Sequence, residues 1–181
     1  MSDNESGKEL LMHLGYYQDL LKTLSEDEFV QSPEDGGWSL SEVYCHIIQV
    51  NTRSLLAIEK CMHGKETSTL TSPPFFTRLI LFFGKLPPGR HKSPANIGAI
   101  VKKQSKEEAR NDLIKFIQRL TDVLPKIVKS TSRCQVKHPR LGMLNRSEWL
   151  RFMIIHTKHH IKQLKRIRST QKTSAHAERV R

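Results

Sequence analysis

Two histidines four residues apart, His156 and His160, sit in a stretch from Trp149 to Ile167 whose apolar residues recur at helical spacing. At about 100° per residue the pair lies about 40° apart on one face, one turn above the other. Trp149, Phe152, Met153, Gln163 and Ile167 fall within about 60° of His156, whereas Arg151, Lys158, Lys162 and Lys165 take the opposite side. Such a helix turns its histidine face into a core. Two imidazoles there are costly to bury unless their nitrogens are satisfied, and a divalent ion gripped by both would satisfy them. Hydrogen bonds within the core are the other way to do so.

With 181 residues the chain suits one domain, set here at residues 1–168 and followed by a tail, 169–181, expected to be disordered. Cys45, Cys61 and Cys134 show no CxxC spacing and cannot all pair, which suits a reducing, cytoplasmic setting. The apolar runs, such as Leu79 to Phe83, are far shorter than a membrane span, so no membrane partner is expected. The net charge of +12 is uneven: residues 1–36 hold two Lys/Arg and nine Asp/Glu, residues 101–181 twenty-one and six. A basic excess can serve nucleic acid. Aromatics do not interleave these basic residues as stacking platforms would, so a solvated helix face plus a basic tail is the preferred reading.

The rest of the chain reads as helices. Leu10, Leu11, Leu14, Tyr17, Leu20, Leu21 and Leu24 mark one over Glu9 to Leu24, and SEDEFVQSPEDGG then reads as a connection. Ser39 and Glu42 form a capping box opening a helix to about Met62, with Val43, Ile47, Val50, Ile58 and Cys61 on its apolar face and His46 at the margin. Between Pro73–Pro74 and Pro87–Pro88 a short helix over Phe75 to Phe83 is expected, as a hydrophobic crossover between flanking loops. A second capping box, Ser105 to Glu108, opens the third main helix, with Pro125 placed to kink or shorten its end. Asn145, three residues before Glu148, caps the histidine-bearing helix.

The residues His138, Pro139, Gly142, Leu144, Trp149, Phe152, His156, His159, His160 and Gln163, in the pattern HP..G.L....W..F...H..HH..Q, resemble the C-terminal signature of the DinB/YfiT-like superfamily. The segment GWSLSEVYCHI, with Trp38 and His46, resembles its earlier signature, and the likeness spans residues 8–168. The resemblance implies an all-α four-helix bundle of up-down-down-up topology, with a long connection between the second and third main helices, and often a homodimer. It also implies a metal site of three histidines, carried over as His46, His156 and His160. His159 and Gln163 are expected to support that site or line its pocket.

Imidazole donors suit zinc, nickel, copper or iron better than magnesium or calcium. The resemblance points to nickel or zinc, and to a small-molecule substrate, by hydrolysis or by transfer of a low-molecular-weight thiol. Glu42 and Glu59 are weak general-base candidates, since the cap engages Glu42 and Glu59 faces solvent. HExxH is absent, and Cys45 and His46, as helix neighbours, point about 100° apart. His138, Trp38 and Trp149 read as structural, and His13, His63, His91 and His176 show no metal-binding pattern. A metal-dependent enzyme is therefore the first reading; a non-catalytic metal-binding or stress-response protein and a nucleic-acid-associated protein are the alternatives.

Overall fold

The structure, a computed structural model, describes residues 2–34, 36–64, 70–87 and 100–179, with side chains as far as Thr173. Reciprocal serine–glutamate caps begin four helices: Ser2 with Glu5, Ser25 with Glu28, Ser39 with Glu42 and Ser105 with Glu108. Asn145 and Glu148 make the same exchange, at 2.9 and 3.0 Å. Each cap satisfies amide N–H groups that the helix leaves unpaired, and stabilises by about 1 kcal/mol.

The helices are α1 (Asp3–Lys22), α2 (Glu26–Val30), α3 (Leu40–His63), α4 (Phe75–Phe83), α5 (Lys106–Lys129) and α6 (Arg146–Arg179). A small antiparallel hairpin, β1 (Val136–His138) with β2 (Gly142–Leu144), precedes α6. The long helices α1, α3, α5 and α6 form the bundle, with α6 and α5 each packed on both α1 and α3. Their side-chain contacts fix the directions. Along α6, Ser147, Arg151, Thr157 and Arg168 meet Asp3, Glu9, Tyr17 and Thr23, so α1 and α6 run parallel. Asn51 meets Thr157 while Cys61 meets Leu144, so α3 runs antiparallel to α6. Ser41 with Gln104 and Glu59 with Arg119 set α5 parallel to α3. The result is up-down-down-up, with α4 in the long second-to-third connection.

Several local expectations need correcting. α1 starts at Asp3 rather than Glu9, because Ser2 supplies the cap. The expected connection after α1 holds α2, whose Phe29 is fully buried, its ring 5.3 Å from that of Tyr44. α5 continues through Pro125 to Lys129. The HPRLG connection is a hairpin: His138 Nδ1 accepts from the N–H groups of Arg140 and Leu141 at 3.1 and 3.0 Å, and Gly142 takes a φ of 81°. A side chain at Gly142 would also meet Pro74 at 2.8 Å.

The tail expected to be disordered is helical through Arg179. No glycine or proline follows Gly142 to stop α6. Gln171 Nε2 donates to the Glu28 carbonyl at 3.0 Å, tying the extension to α2. The crossover helix α4 is present, but its apolar face is not packed inward, since Phe75, Phe76, Phe82 and Phe83 are exposed. His91 and the loop expected around Pro88 and Pro94 lie outside the described residues.

Candidate metal centre

His46 comes from the second turn of α3, and His156 and His160 from successive turns of α6. Because α3 and α6 are antiparallel and pack closely, the three rings meet in the seam between them. His46 Nε2 stands 3.3 Å from His156 Nε2, and His160 Nε2 stands 3.2 Å from His156 Nε2. All three side chains are buried, at 4, 9 and 7 % exposure for His46, His156 and His160.

Hydrogen bonding cannot resolve this arrangement by itself. A neutral imidazole nitrogen carries either one proton or one lone pair. His156 Nε2 can therefore complete a good hydrogen bond with one neighbour and not with both. Nitrogens held at about 2.0–2.1 Å on a tetrahedral ion would stand about 3.3 Å apart, the spacing found for the two pairs that include His156. The three histidines form a group able to hold a metal ion through one nitrogen each.

One of the three outer nitrogens, that of His160, supports that reading of the donor set. His160 Nδ1 is 2.6 Å from Gln163 Oε1, a contact that places the ring proton on Nδ1 and leaves the Nε2 lone pair free. His46 Nδ1 and His156 Nδ1 are buried with no hydrogen-bond partner among the described residues. Burial, reinforced by the neighbouring histidines, holds His46 at a pKa of about 4, His160 at about 3 and His156 well below the ordinary value. The imidazoles are neutral near pH 7, the form in which they bind metal.

Aromatic rings enclose the group. The Trp38 ring lies 5.0 Å from that of His46, and the Phe152 ring 5.3 Å from that of His156. His138 packs edge-on to Phe152 at 4.5 Å, so the hairpin turn buttresses the ring that covers His156. Burial pulls His138 to a pKa of about 4, and its Nδ1 is occupied by the turn. His159 stands at the side of the cluster, its ring 5.1 Å from that of His160.

The other sequence candidates lie elsewhere. Glu42 stays in the cap of α3, and Glu59 is ion-paired to Arg119 at 2.6 Å. Cys45 Sγ accepts from Gln49 Nε2 at 3.2 Å and does not join the histidines. His13 pairs with Glu9 at 3.5 Å. Among the described residues no carboxylate belongs to the group.

One buried feature escaped sequence reading. Asn51 Nδ2 donates to Thr157 Oγ1 at 3.1 Å, directly beside His156 in the chain, and Tyr17 OH donates to the Thr157 carbonyl at 2.9 Å. A polar residue at a core position of each helical stripe was the available signal.

An up-down-down-up bundle with three histidines in one interhelical seam defines the class. The chain matches the DinB superfamily over residues 9–164 and belongs to it. Among solved structures it is similar to TT2238, described as a four-helix bundle protein. The two are 19% identical, with 91% of this chain and 98% of that chain covered and a TM-score of 0.51, a likeness of fold. No curated protein matches the chain.

Proposed function

We propose that this protein binds one divalent transition metal ion, zinc or nickel, through Nε2 of His46, His156 and His160, and that it is a metal-dependent enzyme acting on a small molecule. The convergence of three buried, neutral imidazoles, with Nε2 of His46 and His160 at 3.3 and 3.2 Å from that of His156 and all three ligand atoms within 4.8 Å of one another, carries the reading. Three protein donors leave a coordination position for a reactant, as catalytic sites require. When bound, the ion supplies Lewis-acid chemistry, activating either water for hydrolysis or a low-molecular-weight thiol for transfer.

The chain's own part is positioning and shielding. Gln163 holds the His160 tautomer, Phe152 and Trp38 keep water from the ring faces, and His138 fixes Phe152. His159, half buried, stands beside His160 at the side of the site. Burial keeps the ligand nitrogens unprotonated, so binding needs little proton release near neutral pH.

Elemental analysis of protein purified without a His-tag or chelating resin tests the proposal. About one zinc or nickel per chain is expected, lost in His46→Ala, His156→Ala and His160→Ala and kept in His176→Ala. Equal metal content in all four variants would contradict it. Loaded protein then goes to hydrolase and thiol-transfer screens.

A further inference from the structure

α4 carries its apolar face on the outside. Phe75, Phe76, Leu79, Phe82 and Phe83 are 73, 59, 36, 80 and 64 % exposed. At about 100° per residue these five fill a single arc of about 120°. The inward side is held by smaller and polar contacts: Ile80 and Thr77 are buried, and Thr77 Oγ1 donates to the Leu141 carbonyl at 3.1 Å. From α6, Arg151 Nε donates to the Leu81 carbonyl at 3.2 Å. A surface helix normally shows the reverse pattern, and a contiguous exposed aromatic face marks an interaction site. Because Thr77, Ile80 and Arg151 pin the helix to the bundle, the face is pre-formed.

The charge around it selects the partner. Beside Phe82 a cleft holds three arginines, Arg133, Arg146 and Arg151, against two acids, Asp3 and Glu148. Arg78 stands at the edge of the aromatic arc and Lys85 just past its end, both exposed. Exposed Arg140 adjoins Leu141, the residue whose carbonyl holds Thr77. A second copy on this face would bring like charges, Arg78 and Lys85 of each copy, together. An anionic bilayer complements both the aromatic arc and its basic border.

We propose that α4 seats its aromatic face at the headgroup–acyl boundary of an anionic lipid membrane. Among the described residues no helix is long and apolar enough to cross a membrane, so this association is peripheral. The sequence expectation of no membrane partner rested on span length and does not bear on such a surface. At nine residues, α4 is about 14 Å long and would lie in the plane of the interface with Phe75 and Phe82 inserted.

Co-sedimentation of the full chain with phosphatidylcholine vesicles, with and without phosphatidylserine, tests this. Binding to the phosphatidylserine vesicles is expected, weakened about tenfold or more without the anionic lipid or at high salt. Phe75→Ser/Phe82→Ser and Arg78→Glu/Lys85→Glu should each abolish it while helical circular dichroism is unchanged. If the phenylalanine variant fails to fold, the charge variant, altered only at exposed side chains, decides. Three results would overturn the proposal: no wild-type binding, binding that survives a folded variant, or a wild-type dimer that Phe75→Ser/Phe82→Ser dissociates without any vesicle binding.

Discussion

Two buried polar clusters lie within one turn of each other in the α3–α6 seam, and they solve the same problem differently. In the first, Asn51 and Thr157, both fully buried, bond to each other; Tyr17 OH donates to the Thr157 carbonyl and Tyr44 OH to the Tyr17 carbonyl at 2.8 Å. Their bonds close within the protein. In the second, His46, His156 and His160 aim nitrogens at one another, and internal bonding cannot satisfy all three. A closed network is a device for fixing helix register, whereas convergent lone pairs call for something from outside the chain.

The largest expected effect is a double dissociation between the clusters. His156→Leu should lower zinc or nickel affinity by more than 100-fold in titration calorimetry, because a ligand is lost rather than reoriented. The same change should leave the metal-free protein as stable as wild type or more so, since an unsatisfied buried imidazole is removed. Asn51→Ala should do the opposite, costing about 1–3 kcal/mol in urea unfolding with metal affinity within a few-fold of wild type. If both changes damaged stability and affinity alike, the clusters would be one unit and the distinction would fail.

Acid should separate them next. Unfolded histidine titrates near pH 6.5, whereas burial holds His46 at about 4 and His160 at about 3 in the fold. Between those limits the unfolded chain binds more protons, so stability falls as pH falls. The metal-free protein should keep full stability above about pH 6.5 and lose it progressively toward pH 4, read as a falling urea midpoint. The tyrosines of the closed network are pushed upward by burial and do not titrate in this window. Replacing all three histidines by leucine should flatten the slope, leaving a remainder from His138, which burial holds at about 4. An unchanged slope would contradict the assignment.

A smaller effect belongs to Gln163, which sets the tautomer of His160. Gln163→Leu should weaken metal binding about 10–100-fold, and Gln163→Glu, which keeps an acceptor on Nδ1, should restore most of it. Equal loss in both would make Gln163 a packing residue.

The parts of this arrangement were unequally legible in the sequence. The helix starts at Leu40, Lys106 and Arg146 follow from Ser39–Glu42, Ser105–Glu108 and Asn145–Glu148, because a cap is a local interaction over three residues. The shared face of His156 and His160 follows equally from helical pitch. That His46 meets them could be reached only through family resemblance, since it depends on how α3 and α6 pack across more than a hundred residues of chain. The Asn51–Thr157 bond was hidden for the same reason. The sequence marks α4 as a hydrophobic crossover but not which way its face turns, because apolar composition alone carries no direction; in the fold Thr77 and Ile80 face the body and the phenylalanines face outward. α6 outran its expected end because the lost apolar period marks where core packing stops, not where a helix must.

The central claim is that one metal ion sits among His46, His156 and His160, and crystallographic anomalous scattering at the metal edge tests it most directly. The account predicts a single strong peak per chain, about 2.0–2.2 Å from Nε2 of each of the three histidines. Crystals grown with zinc or nickel that show no peak in the α3–α6 seam, or a peak bound by other side chains, would contradict it.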